Sequence, residues 1–313
     1  MIEPKPAFRA RIDELLGSES RDFLEYCYKP LRNFIRANTL KISVQELTER
    51  LSRKWEISQP YKDYEEIIEI KSRLNPGELG KSREHLLGYY YVQGLASMMP
   101  VLAIKPAEKD NVLDLCASPG IKTTQIAMKM NNSGLLMAND NALDRIIVLN
   151  SNLGRCGVTN CIITREDGSA LCEKLSKLGY GFDKILVDAS CSGEGIIREN
   201  TKTFMMWNEK MINNFSKNQK RLVASAISVL KNGGELVYST CTLAPEENEG
   251  VVQFMLDNFD VKIESFELPI KTRQGILSWQ GREFGSEIGK CHRVYPQDND
   301  SEGFFVAKIM KND

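Results

Sequence analysis

Two cysteines of this chain stand where a nucleophile could act, since each comes just after an apolar run and is followed by a polar turn. The first run leads through Asp188 to Cys191, and the second leads through two hydroxyl residues to Cys241. If the runs are neighbouring parallel strands, both thiols and the carboxylate meet at one edge of a sheet. A thiol attacks as the thiolate, so it needs help at neutral pH. Taken singly, either cysteine could be a small buried apolar residue, but the shared pattern favours nucleophilic chemistry.

A helix predicted after the second cysteine could supply that help. Residues 245–249 read Pro-Glu-Glu-Asn-Glu, and Pro245 suits the first turn of a helix over 245–258. The positive end of a helix dipole stabilises a nearby thiolate. The sequence therefore predicts that this helix begins close to Cys241.

A second candidate site is the junction where an apolar strand over 112–115 enters a tight turn and then a helix. Such a junction can bind a ligand through backbone N–H groups. Neither G-x-G-x-x-G nor the phosphate loop G-x-x-x-x-G-K-[ST] occurs, which argues against nicotinamide and nucleoside triphosphates. The loop consists of Cys116, Ala117, Ser118, Pro119, Gly120, Ile121 and Lys122.

Carboxylates at the ends of the next strands extend this second site. Asp140 can accept hydrogen bonds from ribose hydroxyls, and Asp167 can accept one from an adenine amino group. A lone Asp at a strand end is more often a turn or cap residue. Several such carboxylates along one predicted edge favour a bound adenosine.

The other cysteines and the histidines offer little further chemistry. No C-x-x-C pair occurs, which excludes zinc ribbons and thioredoxin-type motifs, and two histidines leave little room for a metal site. We therefore expect no metal. A small buried apolar role is favoured for Cys27, Cys156, Cys161, Cys172 and Cys291.

The elements that must position these residues are typical of a doubly wound α/β fold. Short apolar strands alternate with helices from residue 111 to 239, which predicts a mostly parallel sheet. Segments 261–265, 293–295 and 303–309 predict antiparallel strands at its edge. The preceding part is mixed α/β and ends in turn-rich sequence, so we expect a small N-terminal α/β module over 1–95 and a catalytic domain over 96–313.

Composition places the chain among globular proteins. Its 313 residues are 42% apolar and 27% charged, with a formal net charge of -1. Charges interrupt the start of the chain and no run suits a membrane span, so we expect a cytoplasmic protein without membrane contact. We also expect a monomer. The near-zero charge does not by itself suggest nucleic acid, and any RNA binding would follow local basic patches.

Six motifs follow one another along the chain: 36–41 (RANTLK), 91–94 (YVQG), 114–120 (DLCASPG), 188–193 (DASCSG), 239–242 with 245–249 (STCT, PEENE) and 303–307 (GFFVA). In this order they resemble the Sun/NSUN family of S-adenosylmethionine-dependent RNA cytosine-5 methyltransferases, and the resemblance covers about residues 34–309. The stretch Arg198-Glu199-Asn200, together with Trp207, is most like the tRNA-modifying branch of that family.

The resemblance implies a class I methyltransferase fold and a role for each matched position. It also implies that the partner is RNA, and specifically tRNA. Cys241 resembles the nucleophile, Cys191 the cysteine that assists product release, and Asp188 the acid that faces the cytosine ring. It also implies that S-adenosylmethionine binds at the 116–122 loop, with Asp140 at the ribose, Asp167 at the adenine and Arg145 nearby. Asp188 borders that cofactor site as well.

The sequence departs from the family pattern at three positions and leaves alternatives open. Ile121 replaces a glycine, Ser190 replaces a proline and Glu199 replaces a lysine. None of these changes removes a reacting group. The alternatives are a ribosomal RNA substrate, a non-catalytic RNA-binding assembly factor, and a methyltransferase for proteins or small molecules. No further C-terminal RNA-binding domain is expected, so RNA recognition would rest on residues 1–110 and the catalytic face.

Overall fold

The computed structural model describes residues 2–313. Four short 3-10 helices, Gly17–Glu19, Ala96–Met98, Glu194–Ile196 and Ser286–Lys290, supplement its main elements. The first part of the chain contains α1 (Pro6–Leu16), α2 (Ser20–Tyr26), β1 (Asn33–Ala37), α3 (Val44–Leu51), β2 (Ile57–Ser58), β3 (Ile67–Ile70), α4 (Glu78–Lys81), α5 (Arg83–Leu86), β4 (Tyr90–Val92) and α6 (Met99–Ile104).

Strands and helices then alternate until the end of the long helix α11, after which strands predominate. The elements are β5 (Asn111–Asp114), α7 (Ile121–Lys129), β6 (Leu135–Asp140), α8 (Leu143–Cys156), β7 (Cys161–Arg165), α9 (Gly168–Lys177), β8 (Phe182–Asp188), α10 (Thr203–Met206), α11 (Glu209–Ser228), β9 (Leu230–Thr240), α12 (Glu249–Asn258), β10 (Val261–Ile263), β11 (Arg273–Gln274), β12 (Ser278–Trp279), β13 (Arg282–Glu283), β14 (His292–Val294), α13 (Pro296–Asn299) and β15 (Phe304–Lys311).

All of the later strands except β12 and β13 form one mixed sheet of nine strands. Its order is β11-β14-β15-β9-β8-β5-β6-β7, and β10 pairs with β15. The pairs among β5 to β9 are parallel, whereas β15 runs antiparallel to β9, β10 and β14. This confirms the predicted class I methyltransferase fold with antiparallel edge strands. The carboxyl ends of β5, β6, β8 and β9 meet at one edge, where such sheets bind ligands.

The N-terminal part contributes to two separate places. Its own four-stranded sheet, with the order β2-β3-β1-β4, encloses a small core with α3. Helices α1 and α2 instead pack Phe8 and Phe23 against Phe204 and Trp207, which belong to the catalytic part of the chain. The division at residues 95 and 96 stays a prediction.

Several local expectations differ from the structure. Helix α6 was not predicted because all its residues are buried and it lacks an amphipathic period. The hairpin β12–β13 was not predicted either. Cys27, Cys156, Cys172 and Cys291 are buried as expected, whereas Cys161 is only partly buried because it lies on the edge strand β7.

Candidate active site

The two predicted cysteines lie side by side at the ends of β8 and β9. Their Sγ atoms are 3.2 Å apart, and both thiols are free. The parallel register sets Asp188 opposite Ser239, and the Ser239 hydroxyl donates to Oδ1 of Asp188 at 2.7 Å. The structure thus brings together the two thiols and the carboxylate that the sequence placed at strand ends.

Backbone contacts hold the two cysteine loops together. The N–H of Gly195 donates to the carbonyl of Cys241 at 2.9 Å, and the N–H of Gly303 donates to the carbonyl of Gly195 at 2.8 Å. A Cβ at Gly195 would lie 2.2 Å from the Gly303 oxygen, so this close approach requires glycine. The spacing of the thiols is therefore fixed by backbone as well as by side chains.

Lys122 connects the 116–122 loop to the carboxylate of Asp188. Its Nζ lies 2.7 Å from Oδ2 of Asp188 and donates to Oγ of Ser97 at 3.2 Å. The ammonium also lies 5.2 Å from the centroid of the Phe304 ring. Both oxygens of Asp188 are thus engaged, which fixes the orientation of its carboxylate.

These groups line a cleft of about 760 Å³, which we call the cysteine cleft. Its wall includes Asp114 and both cysteines. A hydrogen bond shared with Cys241, together with burial, raises the pKa of the Cys191 thiol well above its usual range. Cys191 therefore keeps its proton at neutral pH. Burial raises the pKa of Asp114 to about 7.

A second cavity of about 160 Å³ adjoins the cleft, and we call it the arginine pocket after Arg145 and Arg221. Oδ2 of Asp140 accepts from the N–H of Ser118 at 3.3 Å and lies 3.1 Å from Nη2 of Arg145. Asp167 caps α9 and forms a bidentate pair with Arg221, at 3.0 and 2.9 Å. The hydrogen bonds to Arg221 lower the pKa of the Asp167 carboxyl.

The cysteine cleft and the arginine pocket share the wall residues Cys116, Arg145 and Ser190. One elongated ligand could therefore reach from the carboxylates of the pocket to the thiols of the cleft. Gly120 begins α7 at φ 99°, and a Cβ there would lie 3.1 Å from Leu149. The 116–122 loop thus curves around this junction, and the donors and acceptors fit an adenosine with a charged tail.

The predicted helix start near Cys241 is wrong. Residues 245–248 form turns, and α12 begins only at Glu249. Asn248 turns inward, where its Oδ1 accepts from the Thr240 hydroxyl at 2.6 Å and its Nδ2 donates to the Thr242 carbonyl at 3.0 Å. The backbone of Asn248 is not helical, with φ -108° and ψ -94°, so no helix N-terminus lies where it was predicted.

Sequence reasoning also missed a buried arginine that joins the N-terminal sheet to the 116–122 loop. Arg36 on β1 donates to the carbonyl of Ile121 at 3.0 Å and to the Thr124 hydroxyl at 2.8 Å, and it also contacts Gln93. Burial lowers its pKa to about 10. The motif around Arg36 was visible in the sequence, but an arginine alone gives no sign that it points inward.

Each departure from the family pattern has a defined place. The carbonyl of Ile121 accepts from Arg36, and the carbonyl of Ser190 accepts from Nε2 of Gln219 at 3.0 Å. Glu199 lines the cysteine cleft, where burial and the nearby Glu302 raise its pKa to about 7. None of the three blocks the approach to the thiols.

Arg198 and Trp207, which resemble residues of the tRNA-modifying branch, stabilise the fold. Arg198 donates to the carbonyl of Pro30 at 2.6 Å and pairs with Asp300 at 2.7 Å. The indole of Trp207 is buried and donates to Glu194 at 2.6 Å. These contacts tie the loop after Cys191 to the N-terminal segment.

The fold and the paired cleft and pocket define a class I methyltransferase. Residues 101–310 match the family profile described as 16S rRNA methyltransferase RsmB/F, and residues 5–95 match that of the N-terminal domain of 16S rRNA methyltransferase RsmF. The chain therefore belongs to the RsmB/F family of RNA cytosine-5 methyltransferases. This confirms the resemblance and the enzyme class predicted from the sequence.

Individual relatives extend this match. The chain is 42% identical to a tRNA (cytosine(49)-C(5))-methyltransferase of Pyrococcus abyssi, over 94% of this chain and 92% of the relative. It is 40% identical to the ribosomal RNA small subunit methyltransferase F of Vibrio campbellii, over 97% of this chain but only 63% of that longer protein.

Solved structures agree with the relatives. A methyltransferase homologue from Pyrococcus horikoshii superposes with a TM-score of 0.86 at 35% identity, covering 98% of this chain and 95% of that one. NSun6 from the same organism, solved with the S-adenosylmethionine analogue SFG, gives 0.83 at 26% identity and covers 99% and 98%.

Two further observations concern the described residues 2–313. They contain no group of three or more His, Cys, Asp or Glu side chains arranged to hold a metal ion. No helix among them combines the length and apolar character needed to cross a bilayer.

Proposed function

We propose that this chain transfers a methyl group from S-adenosylmethionine to carbon 5 of cytosine in tRNA, through a covalent cysteine adduct. The observation that carries the proposal is the pair of thiols 3.2 Å apart beside the fixed carboxylate of Asp188. The tRNA substrate rests on the archaeal relative, which this chain matches over nearly its whole length. Ribosomal RNA is the alternative, supported by the bacterial relatives.

The arginine pocket and the 116–122 loop would hold the cofactor. Asp140 would accept hydrogen bonds from the ribose hydroxyls, and Asp167 would accept one from the adenine amino group. Residues 116–122 would enclose the methionine part, with Arg145 at the junction of the two cavities. S-adenosylmethionine supplies an electrophilic methyl group when bound. The 116–122 loop, which lines the cysteine cleft, would turn that group toward the thiols.

The cysteine cleft supplies the groups that activate cytosine, whose carbon 5 is a poor nucleophile. The Cys241 thiolate adds to carbon 6, which makes carbon 5 enamine-like and able to attack the methyl group. Asp188, oriented by Lys122, holds or protonates ring nitrogen 3 as charge develops there. After transfer, the carbon-5 proton passes to solvent water with the assistance of Cys191. The electron pair of that C–H bond re-forms the double bond between carbons 5 and 6, and the Cys241 sulfur leaves carbon 6 as a thiolate.

The RNA must present the target base unstacked, because the thiols lie inside the cleft. The N-terminal module would help to hold the surrounding RNA. A cytoplasmic location and a monomeric state stay predictions from the sequence.

The proposal is tested by incubating the purified chain with methyl-labelled S-adenosylmethionine and, separately, tRNA, ribosomal RNA or protein. We expect label in tRNA as 5-methylcytosine, and none with Cys241→Ala. Label in ribosomal RNA alone would favour that alternative, and label in protein would overturn the RNA assignment. No transfer to any RNA that binds would favour a non-catalytic RNA-binding factor. Bisulfite sequencing of the labelled RNA would then locate the cytosine.

A further inference from the structure

A buried carboxyl group lies directly beneath the Cys191 loop. Glu247 is fully buried, and its Oε2 accepts from the N–H of Ser192 at 3.1 Å and from Nε2 of Gln219 at 2.8 Å. The same Nε2 donates to the carbonyl of Ser190 at 3.0 Å. Glu247 and Gln219 therefore hold the backbone on both sides of Cys191.

This carboxyl has no positive partner among the residues that the structure describes. The groups that face it are Glu194, the Cys191 thiol and the Tyr238 hydroxyl, which donates to the Glu247 carbonyl at 2.6 Å. Arg11, the cation beside Glu194, is engaged by Glu194 and Glu246. Each of these neighbours is neutral, negative or already paired.

The hydrogen-bond pattern agrees with an uncharged acid. Oε1 of Glu247 is buried without a partner, and so is Oε1 of Gln219. An ionised carboxylate buried in this way would carry a large desolvation cost, which a proton on Oε1 reduces to the smaller cost of an unpaired hydroxyl. Burial and Glu194 raise the pKa of Glu247 to about 8, so the acid form predominates at neutral pH.

Glu249, two positions along the same segment, is the natural contrast. It is equally buried, but its two oxygens accept from Nε and Nη2 of Arg293, both at 2.6 Å. A buried bidentate pair of this kind requires the charged carboxylate, because removing the charge leaves Arg293 uncompensated. Two buried glutamates of one motif thus have opposite requirements.

We propose that Glu247 is a positioning residue that works as a neutral acid, holding the Cys191 loop in place while keeping negative charge away from the thiol. Ionised Glu247 would disfavour a Cys191 thiolate and repel charge that develops there. This inference deepens the proposed function, because it assigns a role in the same site. Only its kinetic part depends on methyl transfer to RNA.

The first test measures melting temperature against pH for the full chain and for Glu247→Gln, whose amide replaces the protonated oxygen. The unfolded carboxyl ionises near 4.5 but the folded one near 8, so the native protein loses stability as pH rises between these values. We expect the melting temperature of Glu247→Gln minus that of the native protein to rise from pH 5 to 8 and then level off. A difference that is constant or falls would overturn the proposal.

Glu249→Gln is the matched control, since it makes the same change in the same segment. We expect it to melt below the native protein throughout this pH range. Glu247→Gln melting as low as Glu249→Gln at pH 8 would show that Glu247 is needed as an anion, contrary to the proposal.

The second test compares methyl transfer by Glu247→Leu and Glu247→Gln. Leucine leaves the N–H of Ser192 without its acceptor, and we expect a loss of at least about tenfold at pH 7 that glutamine largely restores. We also expect the rate of Glu247→Gln relative to the native protein to rise between pH 7 and 9. Equal losses in both variants, or a flat ratio, would overturn the role. If the native protein transferred no methyl group, the proposed function would fail. The melting temperatures would still test whether Glu247 is a neutral acid.

Discussion

The cysteine cleft and the arginine pocket are joined, yet they hold their functional groups by different means. In the cleft, backbone contacts at Gly195 and the ion pair of Lys122 with Asp188, whose side chains are 10% and 25% exposed, fix each group. In the pocket, the carboxylates pair with arginines that are 44% and 54% exposed. Exposed pairs contribute little free energy and are easily exchanged. The proposed reacting end is thus preorganised, whereas the proposed adenosine end can exchange partners as a ligand binds.

The largest expected effect on methyl transfer comes from removing the proposed nucleophile. Cys241→Ala should lower methyl transfer by at least about 1000-fold without lowering the melting temperature, because it removes the reacting atom from an intact cleft. Measured rates with labelled cofactor would show this. Cys161→Ser, a change on the edge strand away from the cleft, should keep its activity, and a similar loss in both variants would contradict the assignment.

The next effect tests whether backbone packing fixes the thiols. Gly195→Ala places a Cβ against the carbonyls of Gly303 and Cys241, which should cost about 1–3 kcal/mol of unfolding free energy and lower the transfer rate. Gly154→Ala is the control, since nothing lies within 4 Å of its added carbon. Chemical denaturation would compare them, and equal stabilities would mean that the loops adapt freely.

The acid of the cleft should affect chemistry more than binding. Asp188→Asn keeps the shape but removes the charge paired with Lys122, and we expect kcat to fall about 100-fold. Steady-state kinetics with saturating cofactor and RNA would measure this. A change confined to KM would place Asp188 in binding alone.

The smallest effect is expected in the arginine pocket. Asp167→Asn retains a side chain able to cap α9, but it weakens the pairing with Arg221 and the proposed hydrogen bond to adenine. KM for S-adenosylmethionine should rise about 3–10-fold while kcat changes little. Glu173→Gln, an exposed change on the same helix, should leave both constants as they are. A fall in kcat as large as that of Asp188→Asn would erase the difference between the two regions.

The strand ends could be predicted because each combines a local apolar run with a polar turn. The runs before Asp188 and Thr240 identified β8 and β9, and parallel topology then placed both thiols at one edge. The 3.2 Å separation could not be predicted, since it depends on register and on Gly195 approaching Gly303.

Other features could not be predicted from the sequence because long-range contacts override local conformational preference. Pro245 suits a helix start, but Glu247 and Asn248 turn inward to hydrogen-bond with both cysteine loops. Arg36 looks like a surface cation, yet it is buried against the carbonyl of Ile121. Such inward polar contacts leave no periodic signal in the sequence.

The most direct test of the account is which cysteine variant traps RNA. Native protein, Cys191→Ala and Cys241→Ala would each be incubated with tRNA and S-adenosylmethionine and then run on a denaturing gel. In the proposed mechanism Cys241 forms the bond to carbon 6 and Cys191 assists its breakage, so Cys191→Ala should accumulate a covalent protein–RNA complex and Cys241→Ala should form none. A complex with Cys241→Ala but not with Cys191→Ala would contradict the account and exchange the two roles.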